Sequence, residues 1–160
     1  MSSVRLDQEK LDYKLRPMLP GDLRTVLNNE RVSYTHPWTE GIFSDCLKSG
    51  YECWLVTVAD DVVGHGILSV AAGESHLLNA CVKPAWQGRG LGRVLVEHLL
   101  FRAENRNARR VFLEVRPSNQ IAYRLYETLG FNEIGIRENY YPAFTGREDA
   151  LVLAREIIRE

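Results

Sequence analysis

Three glycines at alternate positions, Gly88, Gly90 and Gly92, lie between an apolar run and a periodic apolar segment. Glycine adopts backbone conformations that other residues avoid, and it lets a ligand approach the main chain closely. The first amides of a helix lack intrahelical partners, and the helix dipole favours negative charge beside them. Arg89 and Arg93 add fixed positive charge to the same stretch. The sequence therefore predicts a phosphate-bearing ligand that is held mainly by backbone groups.

The spacing of the glycines narrows the class of phosphate ligand. The stretch has no Gly-Lys-Ser/Thr ending, so it is not a P-loop. It is also a poor dinucleotide fingerprint, because the third glycine comes one position early and no acidic residue follows about 20 positions later. The pattern that fits is Gln-x-x-Gly-x-Gly, from Gln87 to Gly92. The alternative is a loop whose glycines only permit tight packing of a strand against a helix.

A second group of residues suited to catalysis begins at Glu114. This carboxylate sits in a strand pattern that is otherwise apolar, from Val111 to Val115. A carboxylate there is costly unless it is solvated or partnered. Burial raises the pKa of a carboxyl group and can make it a usable base near neutrality. The structural alternatives are an edge strand or an ion pair with Arg116.

Asn119 and Tyr126 are seven positions apart in a predicted helix. They therefore lie on nearly the same side, about 10 Å apart along the axis. An amide and a phenol on one stripe could face an elongated ligand. The alternative is that Asn119 is a first-turn residue and Tyr126 a packed ring with a satisfied hydroxyl.

Cys81 is discounted as an acyl-accepting nucleophile. It lies within an apolar strand, and the sequence shows no obvious histidine base for it. The four histidines are isolated along the chain, and His98 is expected to pack against the apolar face of its helix. No cysteine and histidine cluster has zinc spacing, so no metal site is predicted.

The elements that must position these residues follow from apolar periodicity and turn signals. Strands are predicted at 13–18, 52–59, 62–70, 75–82, 110–115, 131–137 and 148–154. Helices are predicted from about 20, at 40–48 behind an N-cap at Thr39, at 89–105, and at 118–129 behind an N-cap at Ser118. Asp60 and Asp61 are expected to form a hairpin turn, and residues 138–147 a loop. This order implies an α/β fold with a mixed sheet and helices on both faces.

Length and composition fit one globular domain. The chain has 160 residues, of which 45% are hydrophobic and 26% are charged. A net charge of −1 argues against general nucleic-acid binding. Three cysteines at irregular spacing form no disulfide framework, and no stretch approaches the roughly 20 apolar residues of a membrane span. We therefore expect a cytoplasmic protein with a polar lead at 1–12 and a single domain at 13–160.

Four stretches resemble the GNAT superfamily of N-acetyltransferases, and most closely its RimI type, the ribosomal-protein alanine N-acetyltransferases. They are HPWTEGIF (36–43), LLNACVKPAWQGRGLGRVLVEHL (77–99), LEVRPSNQIAYRLYETLGFNE (113–133) and RENYYPAFTGREDALVLA (137–154). The resemblance implies the acyl-CoA N-acyltransferase fold, with a mostly antiparallel mixed sheet. Cys81 stands where alanine is more usual, and Gly88 where a bulky or basic residue is more usual.

The resemblance also implies roles for individual residues. The glutamate that matches Glu114 is the proton acceptor in that family, and the tyrosine that matches Tyr126 is the proton donor. Acetyl-CoA is the acetyl donor, and no metal is implied. Its contacts match Ala80, Cys81, Val82 and Asn119, and its pyrophosphate lies on the loop that matches Gln87, Gly88, Arg89, Gly90, Leu91 and Gly92.

The implied acceptor is the N-terminal α-amine, with alanine first, of a small-subunit ribosomal protein. Trp38, Tyr140 and Tyr141 offer aromatic walls for an extended peptide. A monomer that binds neither nucleic acid nor membrane directly is expected. One alternative is acetylation of a small amine such as a polyamine, which the lack of an acidic cluster disfavours. Another is a non-catalytic CoA-binding module, which the presence of both Glu114 and Tyr126 disfavours.

Overall fold

A computed structural model describes residues 11–158 of the chain. The predicted polar lead therefore falls outside the described residues, except for two positions without regular structure. The elements in chain order are β1 (Tyr13–Pro17), α1 (Leu23–Ser33), α2 (Glu40–Lys48), β2 (Glu52–Val58), β3 (Asp61–Ala71), β4 (Glu74–Val82), α3 (Leu91–Asn105), β5 (Arg110–Val115), α4 (Gln120–Thr128), β6 (Asn132–Pro142) and β7 (Arg147–Glu156).

The strands form one mixed sheet in the order β1-β2-β3-β4-β5-β7-β6. β1 with β2, β5 with β7 and β6 with β7 are antiparallel pairs, whereas β4 and β5 run parallel. A parallel pair requires a long crossover, which here contains α3. The mixed α/β class predicted from the sequence is confirmed.

Contacts within the described chain concentrate in two compact units. One contains the residues up to Ile67 together with Asn79–Leu99, and the other contains Leu68–Leu78 together with the chain from Leu100 onward. β3, β4 and α3 each contribute residues to both units. The assignment of 13–160 to a single domain stays a prediction.

In the first unit, β3 carries helices on both of its faces. A Cβ added at Gly66 would lie 2.7 Å from Cδ1 of Leu99, so a larger residue there would force the buried Leu99 side chain of α3 to shift. The next side chain back along the strand, His65, points to the opposite face. There it meets the ring of Phe43 on α2 edge-on, at 5.4 Å between centroids. The predicted placement of helices on both faces is confirmed for this unit.

In the second unit, the side chains of β5 alternate between a buried apolar face and a less buried, mixed face. Val111, Leu113 and Val115 are buried on one face, and they pack in a core that also includes Phe131 and Leu153. Because side chains alternate along a strand, Phe112 and Glu114 share the other face. β5 is paired on both sides, with β4 and with β7, so it is not an edge strand.

Two turns differ from the sequence-based prediction. The hairpin between β2 and β3 turns at Ala59 and Asp60, with φ of 50° and 67°, whereas the prediction placed the turn one residue later. Successive residues with positive φ match the right-handed twist of a hairpin. α3 begins at Leu91, two residues later than predicted, because Gly88 and Gly90 have φ of 79° and 84° and cannot be helical.

The last two strands are longer than predicted. The loop that joins them is residues 143–146, and the stretch predicted as loop before it continues β6 as far as Pro142. The register of β6 against β7 shifts between Arg137 and Tyr141, and Asn139 has a φ of 53°. Such a bulge re-aims the side chains that follow it. In residues 11–158, no helix combines the length and apolar character needed to cross a membrane.

Candidate active site

The glycine loop leaves its backbone open on the outer side. Val94 donates its amide to the carbonyl of Gly90, 3.1 Å away, and this bond begins the ladder of α3. The amides that precede it belong to the first turn and have no intrahelical acceptor. A Cβ added at Gly88 or Gly90 would meet no atom within 4 Å. The loop therefore offers open space, backbone donors and a helix N-terminus together.

The loop's side chains hold it in place. Nε2 of Gln87 donates to the carbonyl of Val82 at 2.9 Å, which folds the loop back onto the end of β4. The guanidinium of Arg89 lies 4.7 Å from the ring centroid of Trp86. Leu91 is buried and anchors the start of α3. Gln87 thus shapes the loop, and Gly88 and Gly90 leave open space beside its backbone.

The end of β4 presents the three residues predicted to contact the acetyl donor. Ala80 and Val82 are half-buried, and the hydroxyl of Tyr34 donates to the Ala80 carbonyl at 2.8 Å. Cys81 is buried, and burial raises the pKa of its thiol to about 11. The thiol is therefore protonated at neutral pH, which makes it a poor nucleophile.

A buried carboxylate that the sequence analysis missed holds the loop 34–39. Glu30 on α1 is 1% exposed. One of its oxygens accepts the backbone amide of Trp38 at 2.9 Å, and the other lies 3.0 Å from Nε2 of His65 and 3.2 Å from Nδ2 of Asn79. Trp38 is half-buried, with its ring 5.1 Å from that of Phe43. The aromatic loop is thus fixed by buried hydrogen bonds.

The sequence analysis describes His65 as isolated, but in the structure it has close neighbours. A carboxylate oxygen of Glu30, a ring nitrogen of His65 and Sγ of Cys81 all lie within 4.8 Å of one another. These are ligand types that could hold a metal. The statement that no histidine accompanies Cys81 is therefore wrong. The conclusion on nucleophilicity still stands as a prediction, because the thiol is protonated and Nε2 of His65 already contacts Glu30.

We expect Cys81→Ala to retain most of its turnover, because a neutral buried thiol takes no part in direct transfer. Cys53→Ala is the matched control, since Cys53 is another buried strand cysteine, with a pKa raised to about 12 by burial. Steady-state rates of both variants, with mass spectrometry of quenched enzyme, provide the measurement. An inactive Cys81→Ala together with trapped acetyl-Cys81 would overturn direct transfer.

In the second unit, Glu114 is a buried carboxylate with two cationic or titratable neighbours. Its side chain is 6% exposed. Its Oε2 is hydrogen-bonded to Nε2 of His76 on β4, and its Oε1 lies 3.7 Å from Nε of Arg137 on β6. Arg116, which was the partner of Glu114 in one of the structural alternatives, instead pairs with Glu148 at 3.1 Å. The description of His76 as isolated is also wrong.

Two phenols in this unit have raised pKa values. Burial raises the pKa of Tyr126 to about 12, and its ring lies 5.8 Å from that of Phe131. Burial also raises the pKa of Tyr141 above its usual range, and the negative charge of Glu114 adds to that shift. Both phenols hold their protons at neutral pH. Either could donate a proton to a developing anion.

The remaining predicted residues fall in different local settings. Asn119, rather than Ser118, is the N-cap of α4, and its Oδ1 accepts the Ala122 amide at 3.3 Å. The hydroxyl and amide of Ser118 instead donate to Glu148, each at 3.0 Å. Tyr140 and Tyr141 lie on β6 and not in a loop, with their rings edge-on at 4.9 Å.

Comparison with known proteins decides the family. The sequence model of the Acetyltransferase (GNAT) family matches residues 22–131. The chain belongs to the GNAT family of acetyltransferases. It is of the RimI type: ribosomal protein bS18-alanine N-acetyltransferase of Escherichia coli strain K12 is 40% identical over 136 residues, which are 85% of this chain and 92% of that one. The enzyme of the same name from Salmonella typhimurium strain LT2 is 41% identical over the same shares.

Solved structures of GNAT proteins agree with this assignment. The ribosomal-protein-S18-alanine N-acetyltransferase from Escherichia coli matches with a TM-score of 0.88 at 37% identity, covering 93% of this chain and 96% of that one. Ard1 from Thermoplasma volcanium matches with a TM-score of 0.83 at 26% identity, covering 92% and 99%. The protein is therefore an N-acetyltransferase with the GNAT fold.

GNAT acetyltransferases use acetyl-CoA, and the loop of this chain fits its pyrophosphate. Gly88 and Gly90 have open space where a side chain would otherwise stand. The helix start supplies backbone donors for the phosphate oxygens. Arg89 and Arg93 supply positive charge in the same segment. The donor set is thus of the kind that a diphosphate requires.

The residues that sequence reasoning missed are Glu30, His76 and Arg137. A signal for Glu30 was present, since it continues the apolar stripe of Leu23, Val26 and Leu27 at helical spacing. A carboxylate on such a stripe is buried and needs hydrogen-bond donors. His76 and Arg137 gave no such signal, because their contacts with Glu114 depend on the order of strands in the sheet, where β4 pairs with β5 and β6 lies beyond β7.

Proposed function

We propose that this protein transfers the acetyl group of acetyl-CoA to the N-terminal α-amine of a ribosomal protein, with alanine as the accepting residue. The relatives of 40% and 41% identity are named for this activity on bS18. The observation that carries the proposal is the buried carboxylate of Glu114, which contacts an imidazole and a guanidinium. It supplies the proton acceptor that an ammonium substrate needs.

The acetyl donor binds through backbone groups. The glycine loop from Gln87 to Gly92 takes the pyrophosphate, and the end of β4 at Ala80, Cys81 and Val82 takes the chain that leads to the acetyl group. A backbone amide near Cys81 and Val82 stabilises the negative charge that develops on the carbonyl oxygen. Asn119, at the start of α4, contacts acetyl-CoA through its side-chain nitrogen, because its side-chain oxygen already accepts the Ala122 amide.

We expect Gly90→Val to weaken CoA binding by at least about tenfold, because a β-branched residue cannot hold the positive φ that opens the loop. Gly50→Val is the matched control. Gly50 also has a positive φ, 73°, with nothing within 4 Å of an added Cβ, but it lies after α2. Calorimetric titration of both variants with CoA provides the measurement. Equal affinities for the two variants would contradict the loop assignment.

Glu114 and Tyr126 divide the proton chemistry. A peptide α-amine has a pKa of about 7.7–8.0, so it is largely protonated at neutral pH. Glu114 takes a proton from it, directly or through a water. Acetyl-CoA supplies the thioester carbonyl, which the free amine attacks. Tyr126, still protonated at neutral pH, donates to the departing sulfur. Since no covalent enzyme intermediate is required, orientation of the two substrates supplies much of the acceleration.

The aromatic residues receive the acceptor peptide. Trp38 is fixed through Glu30, while Tyr140 is 42% exposed. Tyr141 contacts the guanidinium of Arg116, which lies 4.4 Å from its ring centroid. A ribosomal acceptor is made in the cytoplasm, and we infer that the protein works there. No metal enters this proposal.

The test is acetylation of a peptide that carries the N-terminal sequence of bS18, beginning with alanine. We expect tandem mass spectrometry to place one acetyl group on the α-nitrogen and none on lysine. An N-terminally blocked peptide is the control, and spermidine is the competing acceptor. Acetylation of spermidine without the peptide would favour a small-amine enzyme. CoA binding without acetylation of either acceptor would favour a binding module.

A further inference from the structure

The proposed reaction leaves one proton that must reach solvent. An alanine ammonium group has three N–H bonds, and the amide product has one. A C–N bond forms, the C–S bond breaks, and its electron pair leaves on sulfur, which takes one of the two protons. The other proton is released to water. Glu114 accepts it first but is only 6% exposed, so it needs a route to solvent.

His76 lies between Glu114 and the solvent. On β4 it is registered against Phe112, which shares a face of β5 with Glu114. Its Nε2 is hydrogen-bonded to Oε2 of Glu114, and its side chain is 33% exposed. This imidazole is hydrogen-bonded to a buried carboxyl group, and its side chain is also partly exposed to solvent. Such an arrangement has the geometry of a proton carrier.

The other groups around Glu114 cannot take this proton at neutral pH. Arg137 contacts Glu114 through a guanidinium, which has donor groups only and no acceptor atom. Burial and the charge of Glu114 keep Tyr141 protonated, and Tyr126 is protonated as well. Arg116 lies over the ring of Tyr141 and is likewise cationic. Among the described residues that contact or act on Glu114, only His76 carries an imidazole, whose two ring nitrogens can accept a proton on one side and give one up on the other.

We propose that His76 carries the released proton from Glu114 to solvent. This inference rests on the proposed role of Glu114 as the base. The protonated carboxyl gives its proton to Nε2, and the imidazolium then gives one from Nδ1 to water. The carboxylate is restored and the neutral imidazole is left with its proton on Nε2. Exchange with water returns that proton to Nδ1 before the next turnover, and no electrons change hands. His76 is thus a positioning and relay residue, because it acts on the substrate only through Glu114.

The test uses His76→Ala and His76→Gln in assays at low buffer concentration. We expect kcat to fall at least about tenfold in both variants, because protonated Glu114 must then lose its proton to water without the help of an imidazole. Added imidazole is expected to restore the rate of His76→Ala in a saturable way. The wild-type rate is expected to be independent of imidazole. A purely structural role of His76 would not produce this dependence.

His76→Gln separates relay from positioning, since its amide can donate to Glu114 but cannot pass a proton on. Wild-type turnover in His76→Gln would overturn the relay, and so would a His76→Ala rate that imidazole does not change. Glu114→Gln is measured alongside. If Glu114→Gln has reduced turnover while His76→Ala has wild-type turnover, the relay role of His76 is contradicted and the base assignment is not. If Glu114→Gln is normal, the base assignment itself fails. Melting temperatures of all variants show whether any loss reflects unfolding.

Discussion

We expect Glu114→Gln to lower kcat by about 10²–10⁴-fold at pH 7, the range typical of a lost general base. Glutamine keeps the size of the side chain and can still hydrogen-bond to His76, but it cannot take a proton. The glycine loop lies in another part of the chain, so the affinity for acetyl-CoA is expected to stay unchanged. Steady-state kinetics with a calorimetric titration of acetyl-CoA measures both quantities.

The lost rate is expected to return in part at high pH. Above the amine pKa of about 7.7–8.0, the acceptor loses its proton to solvent and needs the base less. Glu148→Gln is the matched control, since it removes the same charge from a carboxylate that binds Ser118 and Arg116. Wild-type turnover in Glu114→Gln would contradict the assignment. So would a loss that only follows a fall in melting temperature.

Tyr126→Phe carries the second large expected effect. It removes one hydroxyl and leaves the ring to pack on Phe131. We expect kcat to fall by about 10²–10⁴-fold with little change in melting temperature, because the thiolate must then leave without an acid. The pKa of this phenol is raised to about 12, so the acid is present across the ordinary assay range. The alkaline limb of the wild-type profile is therefore not expected to report this group.

Tyr141→Phe is the matched control for Tyr126→Phe. Tyr141 is also protonated, and its pKa responds to the charge of Glu114. If Tyr141→Phe loses turnover and Tyr126→Phe does not, the proton donor is Tyr141. If Tyr141→Phe changes mainly the KM for the peptide, its role is acceptor binding, as proposed. Kinetics of the two variants at saturating acetyl-CoA provide the measurement.

Structural features that depend on residues close together in the sequence were predictable. The helix Glu40–Lys48 and its N-cap at Thr39 were placed correctly, and Thr39 accepts the Ile42 amide at 3.3 Å. Asn107 follows α3 in the left-handed conformation that asparagine often takes after a helix, with a φ of 63°. His98 packs edge-on against Trp54, as its position near an apolar helix face suggested. In each case the expectation rests on residues within one or two helical turns, although the partner of His98 lies on another element.

Features that depend on distant pairing were not predictable in the same way. His65 is 35 positions from Glu30, and His76 is 38 positions from Glu114. A single sequence gives residue types but not which strands become neighbours or in what register. A role of Glu114 as the base could therefore be proposed from the sequence, while its contacts could not be predicted. The N-cap error has a smaller cause, since Ser118 and Asn119 are both good caps and Glu148 occupies Ser118.

The bulge in β6 has a consequence for how copies of this protein meet one another. β6 is the last strand of the sheet, and its exposed side chains include Ile134 and Ile136. A long regular strand of this kind would be a template for a strand from another molecule, and would promote aggregation. The register shift between Arg137 and Tyr141 interrupts the spacing of its outer backbone groups, and Pro142 removes one donor. The register shift that changes the direction of the tyrosine side chains thus also disfavours pairing of the edge strand β6 with a strand of another molecule.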